Sequence, residues 1–245
     1  MIPFYRDPLP YLSTDQMREV DRLMIEVYRI ELVQMMENAG RHLAALARER
    51  FLGGNLRHKH VVVLAGTGGN GGGALVCARW LHNAGAQVTV LLATAAEEFT
   101  AVPAHQLDIL HQMGVSIIQA DRFSEAVKPE LIIDGLIGYS LRGAPREPLA
   151  SLIRATNTLD RPVLALDTPS GLDTATGTVS EPTMRATATL TLALPKEGLR
   201  HATARSVVGE LYVANIAVPP ALYARPTLGL HVEPIFCHGD ILRLW

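Results

Sequence analysis

The chain has 245 residues, 48% of them hydrophobic and 19% charged, with a formal net charge of −2. That length suits one large α/β domain with a sizeable core and leaves room only for a small second unit. Near-neutral charge gives no reason to expect nucleic-acid binding through bulk electrostatics, and no charge-free apolar stretch is long and glycine-poor enough to span a membrane.

The first twelve residues carry Arg6, Asp7 and three prolines, and they lack the apolar centre of a signal peptide. Cys77 and Cys237 are the only cysteines. Two cysteines make no disulfide framework, so a cytoplasmic setting is the expectation. Ser13-Thr14-Asp15-Gln16 reads as a capping box. Met17, Val20, Leu23, Met24 and Val27 follow at helical spacing. A second helix is predicted over 32–51, with Met35, Met36, Ala39, Leu43 and Leu46 on one side and Gly53-Gly54 as its stop. Both helices precede the first strand, which predicts an N-terminal helical flap rather than a crossover.

From Val61 onward strands and helices alternate. Strands are predicted at 61–65, 87–92, 116–119, 131–134, 163–167, 187–194 and 210–214. Helices are predicted at 72–84, 101–113 and 148–157. Such alternation argues for a parallel sheet with helices on both faces. The tail over 219–245 contains Pro220, Pro226 and Pro234 and little periodicity. It reads as an extension, a partner contact or a loosely ordered end, so the chain divides into 1–218 and 219–245.

Three strand ends carry the candidate chemistry, because open α/β sheets bind ligands beyond the carboxyl ends of their strands. The first is Gly66-Thr67-Gly68-Gly69-Asn70-Gly71-Gly72-Gly73, six glycines in eight positions between a strand and a helix. Without side chains to block approach, its backbone N–H groups suit a phosphate or another anion. Its letters match G-x-G-x-x-G, but no acidic residue ends the next strand, and no Gly-Lys-Ser/Thr appears. The second is Asp134, directly after Leu131-Ile132-Ile133, and the third is Asp167, directly after Val163-Leu164-Ala165-Leu166. Two carboxylates at neighbouring strand ends suit a shared cation, or one of them acts as acid or base. Each taken alone also reads as a loop or helix cap. Ser170 lies in Pro-Ser-Gly with no histidine placed to activate it, so its hydroxyl or carbonyl suits cation coordination better than nucleophilic attack. His58 and His60 read as a solvated strand entry rather than a metal pair.

These motifs, in this order, resemble the YjeF N-terminal domain family, the NAD(P)H-hydrate epimerases. Leu12-Ser13-Thr14-Asp15-Gln16-Met17-Arg18-Glu19-Val20-Asp21 is similar to the family's opening helix. Met36-Glu37-Asn38-Ala39-Gly40 is similar to its second-helix signature. The segments 131–143, 163–177 and 186–196 resemble its middle loop, its Asp-x-Pro-Ser-Gly-Leu-Asp segment and its closing Pro-Lys turn. The resemblance covers about 11–218.

It implies a three-layer αβα Rossmann-like sandwich with a mostly parallel central sheet and two N-terminal helices, commonly as a homodimer. It implies interconversion of the R and S epimers of hydrated NADH and NADPH, which bear a hydroxyl at C6 of the nicotinamide. A separate ATP- or ADP-dependent dehydratase then restores the S form; this chain is too short to include one. By position, Asn70, Asp134 and Ser170 would hold a potassium ion. Gly69, Asn70, Gly71, Gly72 and Gly73, with Gly138, Tyr139, Ser140, Leu141, Arg142, Gly143 and Ala144, would hold the substrate. Asp167 would face the hydrated ring as acid and base.

Some positions depart from the family pattern. Gly69 stands for an Asn, Gly73 for an Asp and Ala74 for a Gly. Gly138-Tyr139-Ser140 replaces Gly-Thr-Gly, and Glu197 replaces a Pro. An Asp at 73 would be a polar ligand contact, and Tyr139 would narrow the pocket or stack on a base. These departures carry a second reading, a catalytically altered member acting as a nucleotide-binding or protein-interaction module.

Overall fold

The computed structural model describes residues 2–99, 101–122 and 128–245. Helix α1 spans Thr14–Arg22 and continues through a π turn at Leu23–Val27. The expected capping box opens it: the Ser13 amide donates to Gln16 Oε1 at 2.9 Å, and Ser13 Oγ accepts from the Gln16 amide at 3.2 Å. Helix α2, Leu32–Leu46, also ends in a π turn, at Ala47–Phe51. The alternating region follows with β1 (His60–Ala65), α3 (Gly69–Asn83), β2 (Gln87–Leu92), α4 (Ala101–Gln112), β3 (Ser116–Gln119), β4 (Leu131–Gly135), α5 (Leu149–Thr158) and β5 (Val163–Leu166). It closes with β6 (Ala188–Leu192), α6 (Ala202–Val208), β7 (Glu210–Ala214), α7 (Pro220–Tyr223) and β8 (Ile241–Arg243).

Eight strands form one sheet in the order β3-β2-β1-β4-β5-β6-β7-β8. All neighbours are parallel except β7 and β8. Strand β1 is β-branched and buried on both faces, as a central parallel strand must be. Val61, Val63 and Ala65 join the larger core with α1 to α4, while Val62 and Leu64 face α5 through Leu152 and Ile153. Each buried aliphatic side chain contributes about 1.5–3 kcal/mol of transfer free energy. A single register slip of β1 would exchange the two sets of side chains between unlike cores.

Five expectations need correction. The N-terminal helices are not a flap: Met35, Ala39, Leu43 and Leu46 of α2 are core residues. Gly40 lets α2 lie directly on α3, since a Cβ there would stand 2.4 Å from the Gly73 carbonyl oxygen. Helix α3 starts at Gly69 rather than 72, so most of the glycine run is its first turn. Glycine is a poor helix former in isolation, but close packing holds this one: a Cβ on Gly71 would lie 1.7 Å from the Gly66 carbonyl oxygen. Strand β5 stops at Leu166 because Asp167 turns into the left-handed region, φ 65°. Strand β6 is shorter than predicted for a similar reason, with Ala193 at φ 63° just beyond it. The tail over 219–245 supplies β8 and packs Leu222, Tyr223, Leu228, Val232, Ile235 and Leu242 into the main core.

Candidate active site

Strand order reverses between β1 and β4, where neighbouring crossovers leave in opposite directions and open a crevice. The register places Leu64 beside Asp134 and Ala65 beside Gly135. β5 lies next to β4, so the three strand ends singled out above are neighbours. The loop after β1 is pressed onto the loop after β4: a Cβ on Gly66 would stand 2.0 Å from the Leu136 carbonyl oxygen. The Gly72 amide already bonds to the Gly68 carbonyl at 3.0 Å. The N–H groups before it, in the first turn of α3, have no such carbonyl within the helix, an arrangement that suits an anion.

Asp134 is fully buried. Its Oδ2 accepts from the Ser170 amide at 2.8 Å. Its Oδ1 accepts from Ser170 Oγ at 2.6 Å and from the Leu136 amide at 3.2 Å. Ser170 Oγ in turn accepts from the Ile137 amide at 2.9 Å, which ties the β4 and β5 loops together. Burial pushes the Asp134 carboxyl up to about 6, against the opposing pull of the Ser170 and Leu136 bonds. Among the described residues no cationic side chain pairs with it. Asn70 sits beside this network. A Cβ on Gly138 would be 3.5 Å from Asn70 Oδ1, and the buried Asn70 Nδ2 has no partner among the described residues. The two ends of an amide exchange by a half-turn, so an oxygen can occupy that orphaned place. A lone carboxylate with amide and hydroxyl oxygens around it is a donor set that fits a large monovalent cation.

A second charged cluster lies at the end of β5. Lys196 has no exposed surface, and its Nζ pairs with Asp167 Oδ1. The same ammonium donates to the Leu192 carbonyl at 2.9 Å and to Thr191 Oγ1 at 3.3 Å. Asp167 Oδ1 also accepts from the Leu192 amide at 3.3 Å. The left-handed backbone at Asp167 swings its carboxylate off the β5 line toward β6; aspartate tolerates this conformation better than most residues. The N-terminal segment brackets Lys196 from the other side. The Leu12 amide bonds to the Pro195 carbonyl at 2.8 Å, and the Glu197 amide bonds to the Leu12 carbonyl at 3.0 Å. That bridge fixes where α1 begins and lays its Met17–Asp21 face on the crevice. There the Tyr139 hydroxyl donates to Asp21 Oδ2 at 2.6 Å.

These groups border one cavity of about 490 Å³. Of the sequence-predicted residues, Gly69, Asn70, Gly138, Tyr139, Ser140 and Asp167 line it. Asp134 and Ser170 lie buried behind its wall. Gly71, Gly72 and Gly73 are packed inside α3 against Gly66, Met36 and Leu166 respectively. Leu141 is half-buried on the loop beyond, and Arg142, Gly143 and Ala144 are exposed there. Sequence reasoning missed Lys196 and Asp21, which also line the cavity. Asp21 carried a faint signal, a carboxylate four residues from Met17 beside an otherwise apolar helix face. Lys196 carried another, a cation closing an apolar strand.

A glycine-built helix start at a topological switch point, beside a dry carboxylate–ammonium pair, is the architecture of an α/β protein with a nucleotide-type pocket. The profile of YjeF-related protein N-terminus matches residues 32–198, and the chain belongs to that family. It is 41% identical to an NAD(P)H-hydrate epimerase of Dehalogenimonas lykanthroporepellens, over 95% of this chain and 92% of that one. It is 36% identical to the bifunctional NAD(P)H-hydrate repair enzyme Nnr of Salinibacter ruber, over 88% of this chain and 42% of that one. The chain thus spans less than half the length of that bifunctional relative. Among solved structures, yeast ynu0 (YNL200c) superposes with a TM-score of 0.80 at 27% identity, over 96% of this chain and all of that one.

Proposed function

We propose that this chain interconverts the R and S epimers of hydrated NADH and NADPH at C6 of the nicotinamide ring. The observation that carries this reading is the buried Asp167–Lys196 pair on the wall of the cavity. The names of the relatives with high coverage agree with it. The start of α3 takes the phosphates, and the hydrated ring reaches Asp167. An acid there lets the C6 hydroxyl leave as water and gives a planar iminium, to which water returns. The direct test mixes the R epimer with a dehydratase specific for S and follows restored NADH. Complete conversion faster than spontaneous epimerisation is the expected result; conversion no faster than the spontaneous rate overturns the reading, and full activity in Asp167→Asn overturns the acid–base role of Asp167.

Potassium belongs to the same reading: Asn70, Asp134 and Ser170 would hold it. When bound, the ion supplies positive charge that offsets Asp134 and steadies the two loops beneath the substrate's phosphates. A dehydratase acting on the S epimer is the functional partner, and the bifunctional Salinibacter ruber relative named above supports that link. A cytoplasmic homodimer completes the reading, and light scattering at twice 26.6 kDa tests the dimer. Among the described residues no helix is long and apolar enough to cross a membrane. The interaction-module alternative rests on Gly73 and Tyr139. Gly73 packs against Leu166 and Ala39, which line the cavity, without lining it itself, and Tyr139 is held by Asp21 in its wall.

A further inference from the structure

Inverting one carbon through a planar intermediate requires water to leave from one face and to return on the other. A carboxylate fixed on one wall serves one face, unless the ring turns over inside the cavity. This cavity carries a second hydrogen-bonded pair of titratable side chains, Asp21 and Tyr139, presented by different elements. Asp167 and Lys196 come from the ends of β5 and β6, while Asp21 comes from α1 and Tyr139 from the loop after β4. All four line the same space.

The second pair is built for proton transfer. Tyr139 is the hydrogen-bond donor to Asp21 Oδ2 at 2.6 Å, and the Tyr139 main chain is itself held, its carbonyl accepting from Thr174 Oγ1 at 2.9 Å. Asp21 is largely removed from water, and burial holds its carboxyl above the ordinary aspartate range, against the pull of Tyr139 and Lys196. The charge of Asp167 adds to that rise. From these placements we propose that Asp21, positioned by Tyr139, handles the proton on one face of the hydrated ring, while Asp167, with Lys196, handles it on the other. This assignment rests on the epimerase reading above.

In one direction, protonated Asp21 gives its proton to the C6 hydroxyl on its side. The C–O electron pair leaves with oxygen as water, and the ring nitrogen's lone pair forms the C=N bond of the iminium. A second water then bonds to C6 from the Asp167 side and passes its proton to the Asp167 carboxylate. One water and one proton are released and one of each is taken up, so the reaction balances. Exchange with solvent resets the two carboxyls. The opposite direction exchanges their roles.

Incubation in ¹⁸O-labelled water, with the two epimers separated and the label counted in each, tests the assignment. With Asp21→Asn, inversion is expected to fall about 100-fold or more, the span general acid–base groups supply. The epimer whose hydroxyl faces Asp167 should keep exchanging its oxygen without inverting. Asp167→Asn should show the same asymmetry in the other epimer. Tyr139→Phe, which removes only a hydroxyl, should slow inversion with the same epimer bias as Asp21→Asn. Equal loss of exchange from both epimers in Asp21→Asn, or inversion at the wild-type rate, overturns the proposal and leaves the epimerase reading intact. A wild-type protein with no activity on either epimer overturns both.

Discussion

A lysine with no exposed surface is stable in this protein because Asp167, Thr191 and the Leu192 carbonyl all receive its donors. Removing one member of a buried pair leaves the other as an uncompensated charge. Lys196→Met is therefore expected to cost about 3–5 kcal/mol in urea unfolding, and adding Asp167→Asn should recover much of that loss. Strictly additive costs would mean that the two residues do not interact. Asp134 supports a prediction in pH. Its folded value of about 6 lies above the ordinary 3.8, so the folded protein binds this proton more tightly than the unfolded chain does. The resulting penalty is absent below about pH 4, grows as pH rises and is complete above about pH 6. A cation beside Asp134 acts on the charged form alone. Potassium is thus expected to raise the melting temperature at about pH 7, to have no effect at about pH 4, and to have none at either pH in Asp134→Asn. The same potassium shift in wild type and variant would remove Asp134 from the ion site.

At the level of elements, the junction of β1 with α3 shows what local patterns carry and what they omit. The strand–glycine–helix order is plain in the residues. The start of α3 was not, because glycine's low helix propensity argues for a loop until Met36, Leu166 and the Gly66 carbonyl are known to enclose it. Packing also explains Gly73. A Cβ there would come within 2.8 Å of Leu166 Cδ2, the flexible end of a side chain. Gly73→Asp, which restores the family residue, is expected to destabilise the fold by about 1–3 kcal/mol through overpacking without raising epimerase kcat/KM. Thermal unfolding and steady-state kinetics check the two halves; a gain in kcat/KM would show that position 73 reaches the ligand after all.

For the molecule as a whole, the eighth strand and the apolar tail finish the edge of the sheet. Deleting 219–245 would uncover β7 and strip Leu222, Tyr223, Leu228, Val232, Ile235 and Leu242 from the core. The truncated chain is expected to lose cooperative unfolding, as followed by circular dichroism; a sharp transition at the full-length temperature would mean that 1–218 folds alone. The parallel α/β plan, most strand positions and the placement of Asp134 and Asp167 at neighbouring strand ends were readable from the chain. Each of them depends on local periodicity or on a residue at the end of an apolar run, and both are properties of neighbouring positions. The partners of those residues were not readable. Lys196 meets Asp167 across 29 positions, and Tyr139 meets Asp21 across 118. Only the strand order, the left-handed turn at Asp167 and the Leu12 bridge to Lys196 bring these groups onto one cavity, because which loops share a wall depends on how the elements pack rather than on the spacing within any one of them.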